Sequence, residues 1–333
     1  MSRATWIRLT VVLAGLAALL VLPQVVSSYR SFQLVYVGIY FIALIGLNVL
    51  TGHSGQISLG HGAFMAIGAY TTAIAVSHQG VRDLWTIPLA GVVAGVAGYL
   101  FGYPALRLHG VYLALATFAV AIALPSLTKR FPGLTGGGTG IELEQPHAPF
   151  GLPLSGTHWL YALTWSIAVL LFAVSWLLLR GRFGRTLRAV RDSEIAAASI
   201  GIDAARYKRL AFGISAGYAG VAGSLLAIAI AFVNPDTFPA SLSILLLTGA
   251  VVGGLGSIVG PLLGAFFVEF VPLYAQDLST EAPTVVYGLI LVLVMFVAPT
   301  GATGLVRRIG AFLSRRLTLG PERVSEQTIP REA

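Results

Sequence analysis

HWLYALTWSIAVLLFAVSWLLL (158–179), RGRFGRTLRAVRDSEIAAASIGIDAARYK (180–208) and RLAFGISAGYAGVAGSLLAIAIAF (209–232) follow one another directly in the chain. The first and last are apolar runs of the length that spans a bilayer, about 20 residues. Eight basic residues stand between Arg180 and Arg209 inclusive, at the junction of the two. Lys and Arg in short loops stay on the cytoplasmic side, so the stretch predicts two spans joined in the cytoplasm. Inside lipid the backbone must satisfy its own polar groups, which favours helices here. The fold class that follows is an all-α polytopic membrane protein.

Working outward, the rest of the chain repeats the pattern. Of 333 residues, 56% are hydrophobic and 10% charged, with a mean hydropathy of +0.84. A soluble protein carries roughly 25% charged residues. Further apolar runs lie at 7–26, 33–50, 62–77, 85–103, 111–128 and 282–298, and 241–274 is apolar but interrupted by Gly253, Gly254 and Gly256. The run 7–26 reads as a retained first helix rather than a cleaved signal, since it is long, lacks a clear small-x-small site and precedes further spans. The net charge of +8 is concentrated in the 180–209 loop and in six basic residues between Arg307 and Arg331. That distribution follows the membrane rule and not a nucleic-acid surface. No Cys is present, which removes a disulfide framework and thiolate chemistry.

Charge then fixes a topology. The loop and the tail both belong in the cytoplasm, and the crossings between them must be even in number. If 241–274 crossed once, the tail would end outside. If a short limb of about 241–253 turns at the glycines and 257–274 returns, the parity is restored. This gives about ten spans, one of them short or re-entrant, with both termini cytoplasmic. Arg30, Arg82, Lys129 and Arg130 fall in outside loops, a small minority. Residues 1–299 then form the membrane unit, and 300–333 a basic, partly disordered cytoplasmic tail.

The segment TGHSGQISLGH (51–61) separates two spans and is polar. It reads either as an ordinary short loop or as a broken helix, which is tolerated at membrane depth only when buried in protein or lining a cavity. GQISLGHGAF (55–64) and GSIVGPLLGAF (256–266) both lead from a glycine break into a Gly-Ala-Phe span. Broken segments in corresponding halves point toward a transport site. The glycines concerned are Gly55, Gly60, Gly253, Gly254 and Gly256.

Catalytic and energy-coupling motifs are missing. The only lysines, Lys129 and Lys208, are each followed by Arg, so no GxxxxGK[ST] loop exists. Any ATP is hydrolysed by another chain. His53 and His61 have no acidic neighbour and read as loop hydrogen-bonding groups rather than metal ligands. Ser54, Ser58 and Ser257 lack a nucleophile elbow. The spans are nearly free of charge, with Glu269 the one acidic residue well inside a run. That argues against a proton- or sodium-coupled carrier. Asn48, Gln56, Ser58, Thr117 and Thr248 are polar residues within or beside apolar runs. They are candidates for a neutral pathway lining, or alternatively for bonding neighbouring carbonyls.

Within the basic loop, Arg188 to Ile200 reads as one short helix, with acidic residues in its first turn and Gly201 just past its end. Matching stretches now make a resemblance specific: GLNVLTGHSGQISLGHGAFMAIGAYTTA (46–73), RLHGVYLALATFA (107–119), LTGGGTGI (134–141), FGRTLRAVRDSEIAAASIGIDAARYKRLAFGISAGYAGVAGSL (183–225) and VVGGLGSIVGPLLGAFFVEFVP (251–272). The chain resembles the permease subunits of branched-chain amino-acid ABC importers, and more closely the second of their two paralogous permeases. The resemblance implies a heterodimer with the paralogous permease and two ATP-binding subunits carrying ATP and Mg. It also implies an extracytoplasmic solute-binding protein and a place in a bacterial or archaeal cytoplasmic membrane. Urea and short amides are alternative cargoes within the same architecture, and a stand-alone facilitator is a different class. The resemblance further implies a coupling helix, carried here by Arg191, Glu194, Ala196, Ala197 and Gly201. Ile195 interrupts the usual E-A-A spacing. This chain itself is expected to bind no cofactor, no metal and no nucleic acid.

Overall fold

The computed structural model of the chain describes residues 22–146 and 155–276, apart from single positions 24, 82, 106 and 109, together with 288–289, 293, 296 and 301–304. Most of the expected first run, most of the last run and nearly all of the basic tail fall outside the described residues. Between them the chain is helical: α1 (Ser28–Leu47), α2 (His61–Gln79), α3 (Asp83–Ala105), α4 (Val111–Arg130), α5 (Gly156–Arg180), α6 (Arg182–Asp192), α7 (Glu194–Ser199), α8 (Ala204–Ile230), α9 (Ala240–Gly253) and α10 (Gly260–Gln276). A ribbon of two short antiparallel strands, β1 (Ile141–Glu142) and β2 (Phe232–Val233), pairs Ile141 with Val233 at the end opposite the basic loop.

Six segments of the described residues are long and apolar enough to cross a bilayer: 28–53, 83–105, 111–130, 156–180, 204–230 and 235–253. Helix α2 has the length as well, but its two terminal histidines and internal Tyr and Thr residues make it less apolar, and it is largely buried within the protein. Helix α10 is shorter, at 17 residues.

Helices α1 and α8 form the centre. Helix α8 packs against α3, α2 and α1, and α1 in turn against α5 and α10. The α2–α8 crossing depends on small residues, because a Cβ on Gly68 would fall on the backbone of Gly220. Close backbone approach of this kind is how helices associate where lipid supplies no hydrophobic drive. Helices α3, α4 and α5 lie at the periphery and turn Trp85, Val92, Leu115, Ile122, Leu170 and Leu177 outward. An apolar outer surface is what hydrocarbon or a neighbouring span requires.

Candidate functional site

The first helix break is a change of helical pitch followed by an extended strand of chain. At Asn48 the α1 ladder widens into a π-helical turn, Asn48–His53. Turns of this type are rare and recur at functional sites. His53 closes the turn by donating from Nδ1 to the Asn48 carbonyl at 3.2 Å. Ser54 ends the turn in a helical conformation and residues 55–60 then run without helix, with Ser54, Gln56, Ser58 and Gly60 buried and Gly55 and Ile57 exposed. Several of their polar groups are paired within the protein. The Gln56 amide donates to Ser54 Oγ (2.7 Å) and to the Lys208 carbonyl (3.3 Å), and Ser58 Oγ accepts from Gly60 N. Leu59 N donates to Thr117 Oγ1 at 2.9 Å. A Cβ on Gly60 would press on the Thr117 carbonyl. His61 donates from Nε2 to the Ala43 carbonyl (2.8 Å), and Ser243 Oγ of α9 accepts from Gly62 N (3.0 Å), capping the start of α2. A buried polar backbone at membrane depth demands such partners.

The second break is the turn between α9 and α10, which run back against each other. Gly253 lies on Gly260 and Gly249 on Gly264, so the two limbs touch backbone to backbone. Gly254 and Gly256 adopt φ of 107° and 75°, left-handed conformations that glycine tolerates and other residues rarely do. Helix α9 has 14 residues, about 21 Å of rise, short of the roughly 30 Å hydrocarbon core.

The two breaks meet. Asn48 Oδ1 accepts from Gly256 N at 2.7 Å, and its Nδ2 donates to the Ser257 carbonyl at 2.7 Å. One side-chain amide thus satisfies two backbone groups more than 200 residues away. Gly52 makes the approach possible, since a Cβ there would collide with both Asn48 Oδ1 and Gly256 N.

The basic loop is braced against this crossing. Arg191, near the end of α6, donates from Nη1 to the Gly52 carbonyl at 2.8 Å and pairs with Asp192 at 2.9 Å. Its aliphatic stem covers Gly55. The single helix expected over 188–200 is instead two. Ser193 adopts an extended backbone, ends α6 and caps α7 by accepting from Ala196 N at 3.2 Å. Serine is a favoured N-cap, so the interruption is a local choice of the sequence. Gly201 ends α7 as expected, with φ of 81° and the paired Gly201 N to Ala198 and Ile202 N to Ala197 bonds of a Schellman motif. Glu194 forms an ion pair with Lys208. Ala197 turns inward, whereas Ala196, Ala198 and Ser199 face out beside Ile195 (86% exposed) and Ile200 (73%). Between the loop, the first break and the α3–α4 connection lies a cavity of about 240 Å³ lined in part by Gln56, Arg191, Glu194 and Lys208.

Of the five pathway candidates, four gather around the first break: Asn48, Gln56, Ser58 and Thr117. Thr248 is apart from them in α9, buried, and donates to its own helix at the Ile244 carbonyl (2.9 Å). Gly52 and Ser243 belong to the site yet carry no signal in the sequence beyond a small residue near or within an apolar run. Among the described residues, no group of three or more His, Cys, Asp or Glu is placed to hold a metal ion.

Six apolar segments long enough to cross a bilayer, two of them ending at interrupted helices that meet, define a multi-pass membrane protein. The family described as "Branched-chain amino acid transport system / permease component" matches residues 29–298, and the chain belongs to it. It is a transporter permease component and not an enzyme. The chain is 36% identical over 293 residues to the high-affinity branched-chain amino acid transport system permease protein LivM of Escherichia coli, covering 81% of this chain and 68% of that protein. It is 29% identical over 285 residues to the corresponding LivH of the same organism, covering 80% and 91%. It is 27% identical over 290 residues to BraD of Pseudomonas aeruginosa, covering 80% and 91%. No solved structure matches the chain at a significant level.

Proposed function

We propose that the chain is the LivM-like member of a heterodimeric permease pair that carries branched-chain or related neutral amino acids inward by alternating access. Two ATP-binding subunits dock on the basic loop, and an extracytoplasmic binding protein delivers the substrate. The chain crosses the inner membrane about ten times, with the 180–209 loop and both termini in the cytoplasm, and a basic tail follows residue 299. A zwitterionic substrate needs helix ends and dipoles more than fixed charge, and the two breaks offer both.

The observation that carries this reading is the outer surface of α7. Ile195 and Ile200 are among the most exposed aliphatic side chains of the described residues, yet they sit in a charged loop outside the spans. An apolar pair in that position fits a docking groove on a partner. Glu194 pairs with Lys208 and so ties α7 to α8.

The test is affinity purification of the chain from its native membranes in mild detergent, followed by identification of the copurifying subunits. The reading expects a second permease and two Walker-containing ATPases, with the ATPases lost in Ile195→Asp while the permease pair survives. Recovery of the chain alone, repeated in lipid nanodiscs, would favour a facilitator. Urea-specific uptake by the intact complex would move the cargo to the short amides.

A further inference from the structure

Three stretches far apart in sequence converge on one point: the π turn at 48–53, the glycine turn at 254–257 and Arg191 in the basic loop. Asn48 holds the second stretch to the first with both ends of its amide, each bond 2.7 Å long. Arg191 holds the third to the first through the Gly52 carbonyl at 2.8 Å. The fit leaves little slack, because Gly52 has no room for a side chain and Gly55 lies under the arginine stem. A helix carbonyl left unpaired by a break ordinarily takes water or a nearby cap. Here the cap comes from the loop that meets the partner subunits.

We propose that Asn48 and Arg191 are positioning residues that join the two helix breaks to the basic loop as one mechanical unit. Movement of α6 under the ATPases then displaces both breaks together, through the Gly52 carbonyl and on through the Asn48 amide. The first break is pulled directly by the guanidinium. The second follows because Gly256 N and Ser257 O are bonded to the same side chain. Asp192 keeps the guanidinium plane aimed at the turn, since it occupies Nε and Nη2 and leaves Nη1 for the carbonyl. The inference rests on the importer reading, because it needs a partner that moves the loop.

The test uses the assembled transporter in proteoliposomes, with substrate imported per ATP hydrolysed as the readout. Arg191→Gln is expected to lower that ratio about tenfold, the size of a typical coupling free energy. Arg191→Lys, which keeps a donor for the Gly52 carbonyl, recovers most of it. Asn48→Ala lowers the ratio as well, and the double variant is no worse than the poorer single one, as expected of residues in one chain of transmission. The chain has no Cys, so spin labels at Ser199 and Val259, both exposed, can follow the loop and the second break together. In the native chain their separation is narrowly distributed in each nucleotide state, and in Arg191→Gln it broadens. Uptake and ATP hydrolysis that fall in parallel at a constant ratio, with the distance distribution unchanged, overturn the inference and leave Arg191 a simple cap. A native complex that shows no ATP-driven uptake overturns the importer reading itself, and the inference with it.

Discussion

The two helix breaks solve the same problem with different materials. The first, at 48–60, is held by side chains: His53, Gln56 and Ser58 from its own stretch, Thr117 from α4, Ser243 from α9. The second, at 254–259, is a turn of glycines whose main tie outside its own hairpin is Asn48. The first is held by several side chains, its own and those of neighbouring helices, and the second is tied to the first by one side-chain amide. The second should therefore follow the first, and damage at the first should spread further.

Substitutions can sharpen or break that contrast. The largest effect is expected for Gly52→Val, where the added carbons meet Asn48 Oδ1 and the Gly256 backbone. Overpacking at such a point costs about 3 kcal/mol or more, enough to remove the monodisperse peak in fluorescence-detected size exclusion. A well-folded Gly52→Val protein would show that the two breaks are not in firm contact. Asn48→Ala comes next. It leaves Gly256 N–H and Ser257 C=O without a partner, which should cost about 2–4 kcal/mol and lower the thermal midpoint in detergent. Protection from hydrogen exchange should then be lost at 254–257 more than at 54–60. Loss confined to the first break would reverse the dependence drawn above.

Ser243→Ala is a smaller change. It removes the cap on Gly62 N, worth about 1 kcal/mol, and should register as a modest drop in thermal midpoint with no effect on subunit assembly. The least effect is expected from Thr248→Val. Among the described residues its hydroxyl bonds to its own helix at Ile244, so a shift within about 0.5 kcal/mol is expected. A large transport defect in Thr248→Val at normal stability would instead place that hydroxyl on the substrate pathway.

Much of the molecule is readable in one dimension. The apolar runs, the polar interruption at 51–61 and the glycine interruption at 253–256 are patterns of neighbouring residues, and those between Ser28 and Gln276 correspond to elements of the structure. The glycine after α7 is likewise a local signal with a local consequence. The partition of the loop at Ser193 was equally local, but the competing readings, a serine within a helix or a serine starting one, differ only in backbone conformation. Burial was the hardest property to read. Spans in lipid are apolar on every side, so the periodicity that marks the inner face of a soluble helix is weak. Nothing in the strings of α1 and α3 tells which is central and which peripheral.

The sequence by itself determined that this chain is a membrane protein of many helices, where its apolar runs are interrupted, and which loop carries its charge, because hydropathy, glycine and charge act over short stretches of chain. Only the tertiary structure decided that Asn48 bonds Gly256 and Ser257 and that Arg191 reaches Gly52. Those partners are set by how the helices pack, and a hydrogen bond between residues some 140 to 210 positions apart leaves no mark on the residues between them.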